Sequence, residues 1–243
     1  MSPAMALLEV EGLTRHFGGV RAVGNLSFTV GEGEIVGLIG PNGAGKTTVF
    51  NLITGFLRPS AGQIRLDGAS VVGLRPHAVT KRGIARTFQI VKPFLGLSVK
   101  ENVTLAAFLR HPARRDAEAA ALEVLQTLGL GPKSDGLASE LTLADQKRLE
   151  MAKALATAPR IILLDEPMGG LDASELLVAS SIVQQIRKAG VTVILVEHVM
   201  KAIMRISDRV VVIHHGEKIA EGPPARIVQD PNVIAAYFGK RAS

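Results

Sequence analysis

Gly40-Pro41-Asn42-Gly43-Ala44-Gly45-Lys46-Thr47 decides the fold: a Gly, four residues, a second Gly, then Lys and a hydroxyl residue. It follows the apolar run at 34–39 and precedes helical spacing over 46–54. A strand, a glycine turn and a helix in that order make a phosphate-binding loop. The glycines let the backbone wrap phosphates, while its N–H groups and the helix N-terminus supply positive potential. Lys46 is expected on the β- and γ-phosphates, with Thr48 beside Thr47 in the nucleotide contact. The Thr47 hydroxyl is a hard-oxygen ligand suited to Mg²⁺. Gly-rich turns also occur for packing alone; Lys-Thr at this offset behind a strand separates the two readings.

Outward from the loop, Val/Ile-rich runs at 160–164, 191–196 and 210–213 read as further buried parallel strands. Helical spacing at 142–156 and 174–189 alternates with them, as in a doubly wound sheet. The N-terminal part differs. Short alternating segments at 7–10, 20–23, 26–30 and 63–66, parted by Gly or Asn, predict a small antiparallel sheet. From about 99 to 156 strand character disappears, and an Ala/Leu/Glu/Arg-rich stretch broken at Pro112 and at 129–132 reads as helical. The expected fold class is α/β: a P-loop NTPase core with a mostly parallel sheet, an N-terminal antiparallel β subdomain and an inserted helical subdomain. One domain spans 1–243, with the nucleotide-binding core in 1–89 and 158–243 and the helical insert in 90–157.

Ile161-Ile162-Leu163-Leu164-Asp165-Glu166 is an apolar strand ending in two carboxylates, which brings negative charge to the phosphate end of a parallel sheet. Asp165 is expected to hold Mg²⁺ through water. Glu166 is placed to orient or deprotonate the water that attacks the γ-phosphate, since phosphoryl transfer needs mainly positioning and charge neutralisation. Strand-end acids alone are often caps or ion-pair partners; beside the loop the pair gains its meaning. The run at 191–196 likewise ends at Glu197-His198. His198 is expected on the same sheet edge, donating to the γ-phosphate or the water, while His214 and His215 read as structural.

Bulk properties narrow the class. With 243 residues and 47% apolar content the chain can bury one substantial core but not two independent ones. Cys is absent, which excludes a disulfide framework and any Cys-ligated metal and fits a reducing compartment. Lys and Arg number 28 against 22 Asp and Glu, a net +6, yet no basic block is interleaved with aromatics, so nucleic acid is not an expected partner. No apolar run approaches the roughly 20 residues that span a bilayer. The chain is expected to be soluble or peripheral.

The order of these motifs resembles ABC-transporter ATPase subunits over about residues 7–239. After the loop comes Arg86-Thr87-Phe88-Gln89, similar to the glutamine loop. Then follow Leu141-Thr142-Leu143-Ala144-Asp145-Gln146-Lys147-Arg148 in the place of the signature, Asp165-Glu166, Gly170-Leu171-Asp172 resembling the D-loop, and His198. The resemblance implies ATP and Mg²⁺ as cofactors, Gln89 as a catalytic and metal-contacting residue, and Phe17 as the aromatic that stacks on adenine. It implies a head-to-tail pair of ATPase subunits, in which Thr142 and Asp172 of one chain close the nucleotide site of the other. A groove around Gln89 would receive a helix from membrane-spanning permease subunits. Lys92, Pro93, Phe94 and Leu95 belong either to that contact or to the subdomain core.

Closer likeness lies with the larger ATPase subunit of branched-chain amino acid importers. It rests on Phe17-Gly18-Gly19-Val20-Arg21-Ala22-Val23, on Val49-Phe50-Asn51-Leu52-Ile53-Thr54-Gly55-Phe56, on Arg86 to Gln89, and on Asn232-Val233-Ile234-Ala235-Ala236-Tyr237-Phe238-Gly239. The implied function is ATP hydrolysis powering an importer for branched-chain or other hydrophobic amino acids, peripheral on the cytoplasmic face of the inner membrane. A second, similar ATPase in a heterodimer and, indirectly, a solute-binding protein are the implied companions. Where the family signature reads Leu-Ser-Gly-Gly, this chain has Leu141-Thr142-Leu143-Ala144. Thr142 keeps a hydroxyl, but Leu143 puts a branched side chain where a phosphate approaches. Two alternatives stand beside the main reading. One is a catalytically weak regulatory subunit, and the other is an ABC-type ATPase acting on nucleic acid or ribosomes, whose usual second nucleotide domain or coiled-coil insertion is lacking. A P-loop kinase or GTPase finds no support, because the chain has no guanine-reading Asn-Lys-x-Asp.

Overall fold

A computed structural model describes residues 6–238; Gly239, the last residue of the C-terminal motif, lies outside them. In chain order the strands are β1 (Ala6–Phe17), β2 (Val20–Gly31), β3 (Ile35–Ile39), β4 (Ala61–Leu66), β5 (Ala69–Ser70), β6 (Ile84–Arg86), β7 (Ile161–Asp165), β8 (Thr192–Val196), β9 (Arg209–His214) and β10 (Glu217–Gly222). The α-helices are α1 (Lys46–Ile53), α2 (Pro76–Lys81), α3 (Val99–Ala107), α4 (Arg114–Thr127), α5 (Leu143–Leu155), α6 (Ala173–Lys188), α7 (Met200–Ile206), α8 (Pro224–Ile227) and α9 (Pro231–Phe238).

The central sheet runs β10-β9-β3-β8-β7-β6, parallel throughout except for the antiparallel edge strand β10. Strand parity divides its side chains between two cores. Ile35, Ile39, Ile162, Leu164, Val193 and Leu195 face one core with α3 to α7, and Val36, Leu38, Ile161, Leu163, Ile194 and Val196 face the other. This second core also buries Leu8, Val10, Leu26 and Phe28 of the antiparallel sheet β2-β1-β4-β5 and Val49, Phe50 and Ile53 of α1. Both faces are covered, which is why these strands read as unbroken apolar runs.

Register sets the site. Asp165 pairs with Val196, and Val196 with Leu38, so β7, β8 and β3 end level. Arg86 pairs with Leu163 on the same parallel ladder. The segments that follow these four strands therefore leave the sheet at one edge, the carboxyl edge, where open parallel sheets bind ligands.

Two details differ from expectation. The segments 20–23 and 26–30 are one strand, β2, because Gly24-Asn25 makes an irregularity in the ladder and not a turn, with Asn25 left-handed at φ 49°. Strands β6 and β10 add both edges of the central sheet; each is short or charged and carries no apolar run. Helices α3, α4 and α5 form the insert, joined by 3₁₀ turns at Gly131–Lys133 and Ala138–Glu140, and a Ser98–Glu101 capping box starts α3.

Candidate active site

The loop after β3 is shaped by two glycines that admit no side chain. A Cβ at Gly40 would lie 2.1 Å from the Ile213 carbonyl oxygen. Gly45, left-handed at φ 105°, would put one 2.6 Å from the Ala22 carbonyl oxygen. Pro41, Asn42 and Gly43 form the outer rim, and the Ala44 N–H donates to the Pro41 carbonyl at 3.1 Å. Helix α1 carries no acidic residue in its first turn, so its N-terminal potential is not cancelled locally. Lys46 is only 7% exposed and folds across the loop, its Nζ donating to the Gly40 carbonyl at 2.7 Å and the Pro41 carbonyl at 3.0 Å. Burial pushes its pKa below the usual lysine range, against the opposing pull of Glu166 and Asp165. Thr47 is exposed at the mouth and Thr48 is half-buried.

At the end of β7, Glu166 adopts a left-handed backbone, φ 50°, with its N–H bonded to the Val196 carbonyl at 2.9 Å. For a non-glycine residue this conformation costs roughly 1–3 kcal/mol, and such strain gathers at functional sites. Its carboxylate is taken from two sides. Gln89 Nε2 donates to Oε2 at 2.7 Å, and His198 Nε2 lies 2.5 Å from Oε1. An ionised carboxylate only accepts, so Nε2 carries the proton in that contact. Residues 77 and 32 positions from Glu166 thus converge on it.

Two supports beneath Glu166 were not foreseen. Lys147 of α5 donates from Nζ to the Glu166 carbonyl at 2.8 Å, and burial holds its pKa below the usual range. Glu197, 2% exposed, accepts from the Met168 N–H at 2.5 Å and the His198 N–H at 3.1 Å. Its carboxyl is pushed up by burial. The signal for Glu197 was present: like Asp165, it is a carboxylate at the end of an apolar strand.

Thr47, Gln89 and Asp165 line one cavity of about 770 Å³, together with Asn51 and Arg86. Their donors are a hydroxyl, an amide oxygen whose nitrogen is engaged by Glu166, and a carboxylate whose Oδ2 already accepts from Arg86. These hard oxygens fit Mg²⁺ held jointly by protein, phosphate and water. Among the described residues no cluster of three His, Cys, Asp or Glu side chains makes a self-sufficient metal cage, so the donor set suits an ion that arrives with phosphates.

Three predicted residues stand apart. Phe17 is 45% exposed at the end of β1, with the Arg15 guanidinium 4.7 Å from its ring centroid. Exposed Thr142 caps α5 by accepting from the Asp145 N–H at 3.3 Å, and exposed Asp172 starts α6 with a capping box to Glu175. Among the described residues, neither makes a hydrogen bond or ion pair to the loop 40–47. They share a surface, since a Cβ at Gly170 would lie 3.4 Å from Leu143 Cδ2. Asp145 turns inward onto Lys133 and Arg148. Phe94 and Leu95 are exposed, which separates them from the subdomain core.

Residues 23–169 match the family model described as ABC transporter, and residues 217–243 match one described as branched-chain amino acid ATP-binding cassette transporter. The chain is 42% identical to the high-affinity branched-chain amino acid transport ATP-binding protein BraF of Pseudomonas aeruginosa, covering 96% of this chain and 98% of the relative. The fold superimposes on the ADP conformation of an ATP-binding cassette of an ABC transporter with TM-score 0.88 and 28% identity, over 97% of this chain and all of the other. A dimeric post-hydrolysis cassette bound to ADP and phosphate is similar at TM-score 0.79 and 26% identity, over 89% of this chain and 98% of that one.

Proposed function

Since the chain belongs to the ABC transporter family of ATP-binding cassettes, we propose that it hydrolyses Mg·ATP to drive an importer for branched-chain or other hydrophobic amino acids. The observation that carries the catalytic part is the clamp of Gln89 and His198 on Glu166, beside a loop built to hold phosphates. Lys46 exchanges its carbonyl partners for the β- and γ-phosphates. Gly40, Pro41, Asn42, Gly43, Ala44 and Gly45 wrap the triphosphate, Thr48 adds a contact, and Phe17 stacks on the base. Glu166 orients the attacking water and takes its proton, while His198 holds the carboxylate and γ-phosphate in line. Thr47, Asp165 and Gln89 hold Mg²⁺, which supplies charge neutralisation on the phosphate oxygens.

The reading divides the chain into a core at 1–89 and 158–243 and a helical insert at 90–157. It pairs the chain head to tail with a second ABC ATPase, so that Thr142 and Asp172 complete the partner's site. Their lack of contact with the chain's own loop supports this, as does the dimeric relative. Permease subunits dock at the groove beside Gln89, where Phe88, Ile90 and Phe94 are exposed. Among the described residues no helix is long and apolar enough to cross a membrane. The assembly therefore holds this chain on the cytoplasmic face through its partners, with the solute-binding protein beyond the permeases. The cargo class rests on BraF and on the C-terminal family match. A second reading, a catalytically weak regulatory subunit, is favoured by Leu143 and by the inward-turned Asp145.

Purification from native membranes tests the proposal. Co-isolation with hydrophobic permease subunits and ATPase activity stimulated by an amino-acid-loaded binding protein are expected. Companions drawn from ribosomes or DNA repair would overturn it.

A further inference from the structure

Among the described residues, Arg86 is the one buried cation in direct contact with the proposed metal carboxylate. It ends β6, three residues before Gln89, and forms an ion pair with Asp165 at 2.7 Å, the two side chains 5% and 4% exposed. Its two terminal nitrogens go to different elements. Nη2 donates to Asp165 Oδ2, and Nη1 donates to Asn51 Oδ1 on α1 at 2.6 Å. The guanidinium lies 5.5 Å from the Phe50 ring centroid and 4.9 Å from that of Phe88. Its buried Nε has no acceptor among the described residues. The planar fork is thus fixed by one carboxylate, one amide and two rings, and it bridges the helix behind the phosphate loop to the strand that carries Asp165.

We propose that Arg86 is a positioning residue for the metal site: by holding Oδ2 of Asp165 it leaves Oδ1 to the metal's water and sets the Mg²⁺ dependence of nucleotide binding. This rests on the reading of the loop as a Mg·ATP site. Two features carry it beyond a structural ion pair. Arg86 lines the same cavity as Thr47, Asp165 and Gln89. Its second anchor, Asn51, lies on the helix that begins with Lys46 and Thr47, so one guanidinium ties together two of the three sources of metal ligands, α1 and β7. An Arg fork makes two directed bonds where a Lys ammonium supplies a mobile point charge. Geometry and charge are therefore separable by substitution.

The test measures ATP affinity of the full chain with EDTA and across a Mg²⁺ titration, for wild type, Arg86→Lys and Asn51→Ala, each checked for cooperative melting. Arg86→Lys keeps the charge and should bind ATP in EDTA within about twofold of wild type, while the gain in affinity on adding Mg²⁺ falls at least fivefold. Asn51→Ala, which leaves Arg86 its carboxylate but frees its other end, should move the Mg²⁺ midpoint upward by a smaller factor. If folded Arg86→Lys shows the wild-type Mg²⁺ gain, the positioning role is overturned and Arg86 is only an ion-pair partner. If wild type itself gains nothing from Mg²⁺, the failure lies instead with the Mg·ATP reading of the loop.

Discussion

His198 Nε2 stands 2.5 Å from Glu166 Oε1, and the imidazole reaches it from the end of a different strand. That contact fixes one carboxylate oxygen while Gln89 fixes the other, so the base is oriented before any nucleotide arrives. Glu166→Gln retains an oxygen that accepts one of the two bonds but loses the basicity. Turnover in the assembled transporter should fall by about 10²–10⁴-fold, with ATP affinity of the isolated chain unchanged within about twofold. Wild-type turnover in this variant would remove Glu166 as the catalytic base.

Thr142 has two separable duties in the proposed dimer. Its hydroxyl caps α5 in its own chain, and the proposed head-to-tail pairing would turn it toward the partner's γ-phosphate. Thr142→Ala should lower stability by about 0.5–2 kcal/mol, the usual worth of an N-cap, and also slow the assembled ATPase. Thr142→Asp restores the cap but sets a negative charge toward phosphate, so its melting temperature should recover while turnover stays depressed. Turnover equal to wild type in both variants would leave Thr142 a cap and nothing more.

The turn after β3 was legible because its information is backbone chemistry written in residue type: glycines where no Cβ fits, between an apolar strand and a helix that begins with Lys-Thr. Strands β3, β7, β8 and β9 were legible because burial on both faces leaves continuous Val/Ile runs. Strand β6 was not, being three residues long and ending in a charge, and Gly24-Asn25 imitated a turn while making an irregularity inside β2. Arg86 stood in view within a motif, but its pairing with Asp165 joins residues 79 apart and exists only once β6 lies against β7. The same holds for Lys147, whose bond to the Glu166 carbonyl needs the helical insert to be packed on the core.

Lys46 gives ATP binding a pH dependence of defined sign. In the nucleotide-free chain burial depresses its pKa, and bound phosphates favour the ammonium, so the pKa rises on binding. Below the depressed value the lysine is charged in both states and affinity is level. Above it, binding requires proton uptake and ATP affinity should fall by up to about tenfold per pH unit, beginning below the ordinary lysine range. Lys46→Arg remains charged throughout and should lack this alkaline slope, as read by equilibrium binding across pH. An equal slope in both proteins would show that another group is titrating.

Glu197 makes a matching prediction for stability. Burial raises its pKa in the folded protein despite the backbone N–H groups of Met168, Val199 and His198 and the nearby Lys147 ammonium. Between the unfolded value near 4.5 and the raised folded one, the native state holds more protons than the unfolded chain. The stability contributed by this group is therefore complete below the unfolded pKa and is lost as pH rises through the folded pKa. Glu197→Gln keeps an acceptor for the Met168 N–H and cannot ionise. Across that window the melting temperature of wild type should decline relative to the variant as pH increases. A difference between the two that stays constant with pH would mean that Glu197 does not change its proton occupancy on unfolding, the N–H donors and the Lys147 ammonium then just balancing the cost of its burial.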